Sequence, residues 1–202
     1  MMSHSYSAIL EALPKEARIP AQKLMETTAI PIKITPKRKT KHGDFRITAK
    51  GVPMITLNAS KNPYRFLLTL IHELAHWVTY KTYGSQVKPH GFEWKQNFRK
   101  LMLPFLNPSI FPEPLLGHLA RHLKNPKATA GADIDLAKSF KTFDPPKNTV
   151  AVADIGEGKK FILEDGRVFI RGQKRVKRYL CHEIETQRNY LFSAVAEVYK
   201  YE

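Results

Sequence analysis

The pattern of apolar and polar positions predicts helices and a few strands in the first part of the chain. Residues 7–27 repeat apolar positions at helical spacing and are interrupted near Pro14 and Pro20, which predicts two short helices. Alternating apolar residues then predict three strands that form a small antiparallel meander, at Ile30–Ile34, Phe45–Ile47 and Met54–Leu57.

The longest predicted helix is strongly apolar and runs from about Pro63 to Tyr83. Asn62 can cap its first turn, and Gly84 can end it. A further helix begins near His90, and a short one covers Leu115–Leu123. An apolar helix of this length indicates an element buried in the core.

The last third of the chain has a different composition. Residues 126–148 are rich in Lys, Pro, Asp and Ala, which predicts a linker. Short strand-like segments separated by turns follow, and they predict a small all-β module over residues 149–202. We therefore expect an α+β protein with a first domain at 1–125, a linker and a C-terminal module.

Composition narrows the class of protein. The chain has 202 residues, of which 43% are hydrophobic, enough for a packed core. It has no apolar run near the roughly 20 residues that cross a bilayer, and its N-terminus lacks the pattern of a secretory signal. The single cysteine, Cys181, excludes an intramolecular disulfide and fits a reducing compartment. We expect a cytoplasmic protein with no membrane partner.

The charge is strongly positive, with 33 Lys and Arg against 18 Asp and Glu and a net charge of +15. Most of the excess lies in residues 1–125, and two clusters concentrate the cations. Such clusters attract polyanions, DNA or another nucleic acid above all, although a merely solubilising surface is the alternative. The candidate nucleic-acid contacts are Lys37, Arg38, Lys39, Lys41, Arg171, Lys174, Arg175, Lys177 and Arg178.

An HExxH motif lies inside the apolar helix. His72 and His76 are four residues apart and therefore lie on one face, where both imidazoles can bind one zinc ion. Glu73 projects about 100° round the helix and can take a proton from a zinc-bound water without being a ligand. This chemistry is that of a zinc metallopeptidase.

A catalytic zinc needs a third protein ligand and an open position. Thr79 and Thr82 occupy the positions where a metzincin has glycine and histidine, so that class is excluded. His90 is the favoured ligand, because imidazole suits zinc and the preceding turn can aim it, while Glu93 is a rival. Tyr64, Tyr80 and Tyr83 are candidates to stabilise the reaction intermediate, and no spacing rule selects one.

The first 125 residues resemble the SprT-like zinc metallopeptidases. The resemblance rests on Gly43–Arg46, Ile55–Asn58, Leu70–His76 and His90–Gly91, with Trp94 and Phe98 downstream. It implies a zincin-like domain with a small antiparallel sheet on the HExxH helix, one zinc ion held by His72, His76 and His90, and Glu73 as the catalytic base. It also implies an endopeptidase, since the Spartan branch of the family degrades proteins crosslinked to DNA.

The C-terminal module departs from the resemblance. Bacterial relatives often end in a zinc ribbon with two CxxC pairs, whereas this chain keeps Cys181 and has Ile184 where its partner would stand. We therefore expect a ribbon-like module without structural zinc.

The primary hypothesis is a peptidase acting on DNA-associated or unfolded proteins, with an extended substrate beside the third strand. The alternative is a nucleic-acid-binding accessory protein that retains zinc without significant proteolysis, and the oligomeric state stays open.

Overall fold

The chain folds into two compact units. The computed structural model describes residues 6–36, 38, 41–127, 133–145 and 148–201. The first unit spans Met1–Pro145 and the second Pro146–Glu202. Both helices and strands are present, so the α+β class expected from the sequence is confirmed. Among the described residues, no helix combines the length and apolar character needed to cross a bilayer.

The first unit combines helices with a three-stranded sheet. Its helices and strands, in chain order, are α1 (Ser7–Glu11), α2 (Arg18–Thr28), β1 (Ile32–Thr35), β2 (Gly43–Ile47), β3 (Pro53–Asn58), α3 (Pro63–Tyr83), α4 (Phe92–Met102), α5 (Leu115–Lys124) and α6 (Ile134–Lys141).

The sheet of the first unit is mixed, so the expected antiparallel meander is wrong. The strand order is β1-β3-β2, with β1 parallel to β3 and β2 antiparallel to it. A tight turn at Thr48–Val52 joins β2 to β3. Apolar alternation identifies the buried face of a strand, but it contains no information about the order of its neighbours.

Helix α3 crosses the core of the first unit. The side chain of Asn62 accepts a hydrogen bond from Arg65 N–H, Pro63 opens the helix, and Gly84 ends it at φ 65°. The left-handed backbone at Gly84 favours glycine, as the sequence indicated. Buried α3 residues pack with Trp94 and Phe98 of α4, so Leu74 and Ala75 of the HExxH segment lie in the core.

The expected linker contains a packed helix. Asp133 caps α6 by accepting a hydrogen bond from Leu136 N–H, and Leu136 and Phe140 are completely buried in the core of the first unit. Their i, i+4 spacing places both on one face. The polar composition of the segment concealed this pair, and residues 133–145 therefore belong to the first unit.

The described part of the second unit contains six strands, which are β4 (Thr149–Ala151), β5 (Lys160–Ile162), β6 (Val168–Arg175), β7 (Arg178–Glu183), β8 (Asn189–Ser193) and β9 (Glu197–Lys200). They form an antiparallel sheet in the order β4-β9-β5-β6-β7-β8. Strand β9 was not predicted, although it pairs with both β4 and β5. The core of this unit completely buries Phe161, Phe169, Cys181 and Val198.

Candidate metal centre

Three imidazoles meet between α3 and the start of α4. The Nε2 atoms of His72 and His76 are 3.2 Å apart, and that of His90 lies 3.1 Å from the first and 3.0 Å from the second. The i, i+4 spacing on α3 supplies two of them. The structure thus brings together the three histidines that the sequence singled out.

His90 reaches this position through an unusual backbone conformation. Its φ is 59°, in the left-handed region that few residues other than glycine adopt. Gly91 follows as the N-cap of α4. Such conformations cost free energy and persist where the surrounding structure holds them. Glu93 is not part of the cluster of metal-ligating groups found among the described residues.

The donor set fits a metal ion. Each Nε2 of a neutral imidazole is either a donor or an acceptor, so at least one of the three mutual contacts joins two like groups. A cation among three acceptor nitrogens removes that conflict. Nitrogens bound to zinc at ordinary tetrahedral geometry lie about 3.3 Å apart, close to the separations found here.

Burial keeps these imidazoles neutral. It lowers the pKa of His72 to about 3 and that of His76 to about 4, with repulsion from the neighbouring histidines acting in the same direction. Burial also lowers the pKa of His90. Neutral imidazole is the form that binds a metal ion.

Glu73 lies beside the histidines and is almost fully buried, with 6% of its surface exposed. Burial raises the pKa of its carboxyl to about 7. The Phe45 backbone N–H donates a hydrogen bond to the carboxylate and opposes this shift, as do the charges of Arg38 and Lys41. A carboxyl with a pKa in this range can both accept and release a proton near neutral pH.

Trp94 forms an aromatic wall against all three imidazoles. Its ring centroid lies 4.7 Å from those of His72 and His90 and 5.3 Å from that of His76. Only 1% of its surface is exposed, and its ring stacks on that of Phe98 with the centroids 4.9 Å apart. The contact of Trp94 with the imidazoles was not predicted from the sequence, because it depends on the α3–α4 packing.

A cavity of about 510 Å³ opens beside the histidines. The first residues of β2 line one side, α3 lines another, and the segment between α3 and α4 closes a third. Tyr80 lies in this lining, whereas Tyr64 packs against Phe111 and Phe143 in the core. Of the three tyrosines considered from the sequence, Tyr80 is therefore the one at the site.

The predicted cations of the first cluster have different positions. Lys37 and Lys39 lie outside the described residues. Arg38 Nε donates to Asn58 Oδ1 at 2.6 Å, and Lys41 forms an ion pair of 2.9 Å with Asp44. Both side chains are thus engaged within the first unit.

The predicted cations of the second cluster lie on the β6–β7 hairpin. Lys174, Arg175, Lys177 and Arg178 are exposed at its tip. Arg171 is more enclosed, since its guanidinium packs 4.2 Å above the Tyr179 ring and 3.7 Å from Glu157. The tip is therefore the part of this cluster open to a partner.

Comparison with known proteins gives a family match for the segment that contains the site. The model of the SprT-like family matches residues 17–110. Protein SprT of Vibrio parahaemolyticus is 53% identical over 36 residues, which are 17% of this chain and 21% of that protein. The chain thus aligns with about a fifth of that relative's length. No solved structure gives a significant match.

Proposed function

The chain belongs to the SprT-like family through residues 17–110, and from this premise we propose that it is a zinc-dependent endopeptidase. The observation that carries the proposal is the convergence of three imidazole nitrogens beside a buried carboxylate at an open cavity. We further propose a zincin-like domain and unfolded or DNA-associated proteins as substrates.

His72, His76 and His90 would hold the ion. A set of three neutral imidazoles suits zinc and leaves room for a fourth ligand. When bound, zinc supplies Lewis acidity that polarises a carbonyl and lowers the pKa of water. Trp94 excludes solvent from one side of the imidazoles and limits their rotation.

Glu73 carries the proton in this mechanism. Its carboxylate accepts a proton from the attacking water at Oε and delivers it to the nitrogen of the departing amine. Burial and the Phe45 N–H hold the carboxylate in place before the substrate arrives. The same group therefore acts first as a base and then as an acid.

The substrate would pair with the open edge of β2. The expected location beside the third strand is wrong, because β3 is central and has neighbours on both sides. Thr48 N–H bonds Val52 O and Asn58 N–H bonds His42 O, so by alternation the backbone groups of Gly43, Phe45 and Ile47 point to the other edge. The Phe45 N–H bonds Glu73, and the other backbone groups of this edge would pair with a peptide. An extended peptide on that edge borders the cavity.

The test combines metal analysis with proteolysis. We expect one equivalent of zinc in the purified protein and cleavage of an unfolded protein such as casein. Glu73→Gln should keep the zinc and lose at least about 10²-fold in kcat, as removal of a general base does. Zinc binding without any cleavage that depends on Glu73, with or without DNA, would refute the peptidase and favour the accessory protein.

A nucleic-acid partner is proposed for the β6–β7 hairpin. Arg175 and Arg178 face each other across the two strands, a like-charge pair that costs free energy without an anion nearby. Val176 at the turn is 92% exposed and has φ 51°, unfavourable for a β-branched residue. The described residues show no acidic partner for the four tip cations.

Salt dependence tests this partner. Changing Lys174, Arg175, Lys177 and Arg178 to Gln should weaken binding of a DNA oligonucleotide and reduce the slope of log Kd against log salt by about 3. The matched control changes four exposed lysines of the first unit to Gln, namely Lys15, Lys23, Lys81 and Lys100. Equal losses of DNA affinity in both variants would show that binding depends on the overall positive charge and not on the hairpin. Binding to anionic vesicles alone would identify a membrane surface as the partner instead.

A further inference from the structure

Gly43 faces the carboxylate of Glu73 with no room for a side chain. A Cβ atom built on Gly43 would lie 2.6 Å from Glu73 Oε1 and 2.8 Å from its Cγ. The methyl group of Thr69, one turn earlier on α3, would also lie 2.8 Å away. Carbon atoms do not pack at such distances, so the bare backbone of Gly43 creates the space that Glu73 occupies.

The backbone on both sides of Gly43 is fixed. Asn58 is buried, and its Nδ2 donates to the carbonyl oxygens of Arg38 and Lys41 at 3.1 and 2.5 Å. Asn58 N–H donates to His42 O at 2.8 Å, and Gly43 itself is paired with Leu57. The start of β2 therefore cannot retreat easily from α3.

The same strand holds the carboxylate by a hydrogen bond. Phe45, two residues after Gly43, donates its backbone N–H to Glu73. One stretch of β2 thus supplies both the space and the donor that determine where the carboxylate lies. A larger residue at position 43 would force the Glu73 side chain away from that donor, since its carboxylate end is the most flexible group at the contact.

We propose that Gly43 is a positioning residue for Glu73: its missing side chain lets β2 approach α3 closely enough to hold the carboxylate beside the histidines. The catalytic consequence rests on the proposed peptidase function, but the positioning itself does not. Gly43 is not among the residues with positive φ. Alanine is therefore allowed by its backbone, and the contact with Glu73 and Thr69 is what excludes it.

Nuclear magnetic resonance of the full chain tests the positioning without any assay of activity. In Gly43→Ala we expect the Phe45 amide proton to move upfield and exchange faster, as it should in Glu73→Ala, because both changes remove its acceptor. The matched control is Gly117→Ala, whose nearest contact would be Glu113 Oε2 at 3.2 Å. An unchanged Phe45 amide in Gly43→Ala would overturn the proposal.

Kinetics and metal content give the second measurement. Gly43→Ala should keep one equivalent of zinc and lose about 10²-fold in kcat, the usual effect of misplacing a reacting group by about 1 Å. Loss of zinc in parallel with kcat would overturn the proposal, because the effect would then act through the histidines. If wild type and Gly117→Ala are also inactive, the peptidase function fails while the Phe45 resonance still decides the positioning.

A second variant guards against misfolding. Thr69→Ser removes the crowded methyl and keeps a hydroxyl that can donate to Arg65 O, as Thr69 does at 2.9 Å. In Gly43→Ala combined with Thr69→Ser, the melting temperature should recover while the Phe45 amide stays displaced. Recovery of both would assign the effect to Thr69 and overturn the role of Glu73.

Discussion

At the scale of single residues, the candidate site combines residues that are close in sequence on one helix with a residue that only the tertiary packing brings to them. His72, Glu73 and His76 were predictable because helical spacing alone determines which of them share a face. His90 was favoured over Glu93 because imidazole suits zinc and the preceding turn can aim it. Its left-handed backbone and its approach to α3 depend on packing that no sequence pattern encodes.

Substitution of the candidate ligands should separate His90 from Glu93. We expect His90→Ala to lose most zinc binding, because it removes one of three converging nitrogens. Glu93→Ala should retain the zinc, since Glu93 is outside that cluster. Zinc content and a competition titration with a chelator measure both variants. Retention of zinc in His90→Ala with its loss in Glu93→Ala would reverse the assignment.

At the scale of elements, strand positions were predicted better than strand neighbours. The three early strands occur close to their expected positions, but β1 runs parallel to β3. Helix α6 was missed because only Leu136 and Phe140 bury its apolar face in a polar segment. The environment of Glu73 could not be predicted either, since it requires the register that places Gly43 and Phe45 above α3.

Asn62 connects two helices and makes the attachment of α6 testable. Its side chain caps α3 and donates to Phe140 O at 2.8 Å and Asp144 Oδ1 at 2.7 Å. Asn62→Ala should lower the free energy of unfolding by about 2–4 kcal/mol, because it removes a cap and leaves a buried carbonyl without its donor. Urea unfolding measures this loss.

A charged substitution of Asn62 provides the control for Asn62→Ala. Asn62→Asp keeps an acceptor for the cap but sets a carboxylate beside Asp144, so it should destabilise the chain at least as much as alanine. Adding Asp144→Asn should restore part of the loss. If Asn62→Asp is as stable as wild type, the contact with Asp144 contributes nothing.

The pairing of α5 with α6 should make stability depend on pH. His122 Nδ1 lies 3.4 Å from Asp133 Oδ2, and burial lowers the pKa of His122 below 6.5 despite that carboxylate. Burial acts to raise the pKa of Asp133, but hydrogen bonds from Leu136 N–H and His122 lower it overall. Both folded-state pKa values are depressed, so each contribution to stability is lost as pH falls.

Protonation of His122 affects stability at a higher pH than protonation of Asp133 does. Below about pH 6.5 the unfolded chain binds a proton at His122 that the folded chain resists. Wild type should therefore lose more unfolding free energy than His122→Gln between about pH 7 and 5. Equal slopes for the two proteins would contradict the assignment, and the other histidines cancel in the comparison.

At the scale of the whole molecule, the candidate metal site belongs to the first unit alone. The three histidines, Glu73, Trp94 and β2 all belong to the first unit, which has its own core. We expect residues 1–145 expressed alone to fold and to bind one equivalent of zinc, with His90→Ala in the same fragment as the negative control. A fragment that cannot bind zinc would show that the first unit needs the rest of the chain.

The buried thiol of the second unit makes that unit accessible to a kinetic experiment. Cys181 is the one cysteine of the chain, is completely buried on β7, and burial raises the pKa of its thiol. Alkylating reagents should therefore label the native protein only when β7 opens. The labelling rate measures the opening free energy of this sheet in the intact molecule, and zinc removal should leave it unchanged if opening is local. Cys181 thus serves as an intrinsic probe of local unfolding.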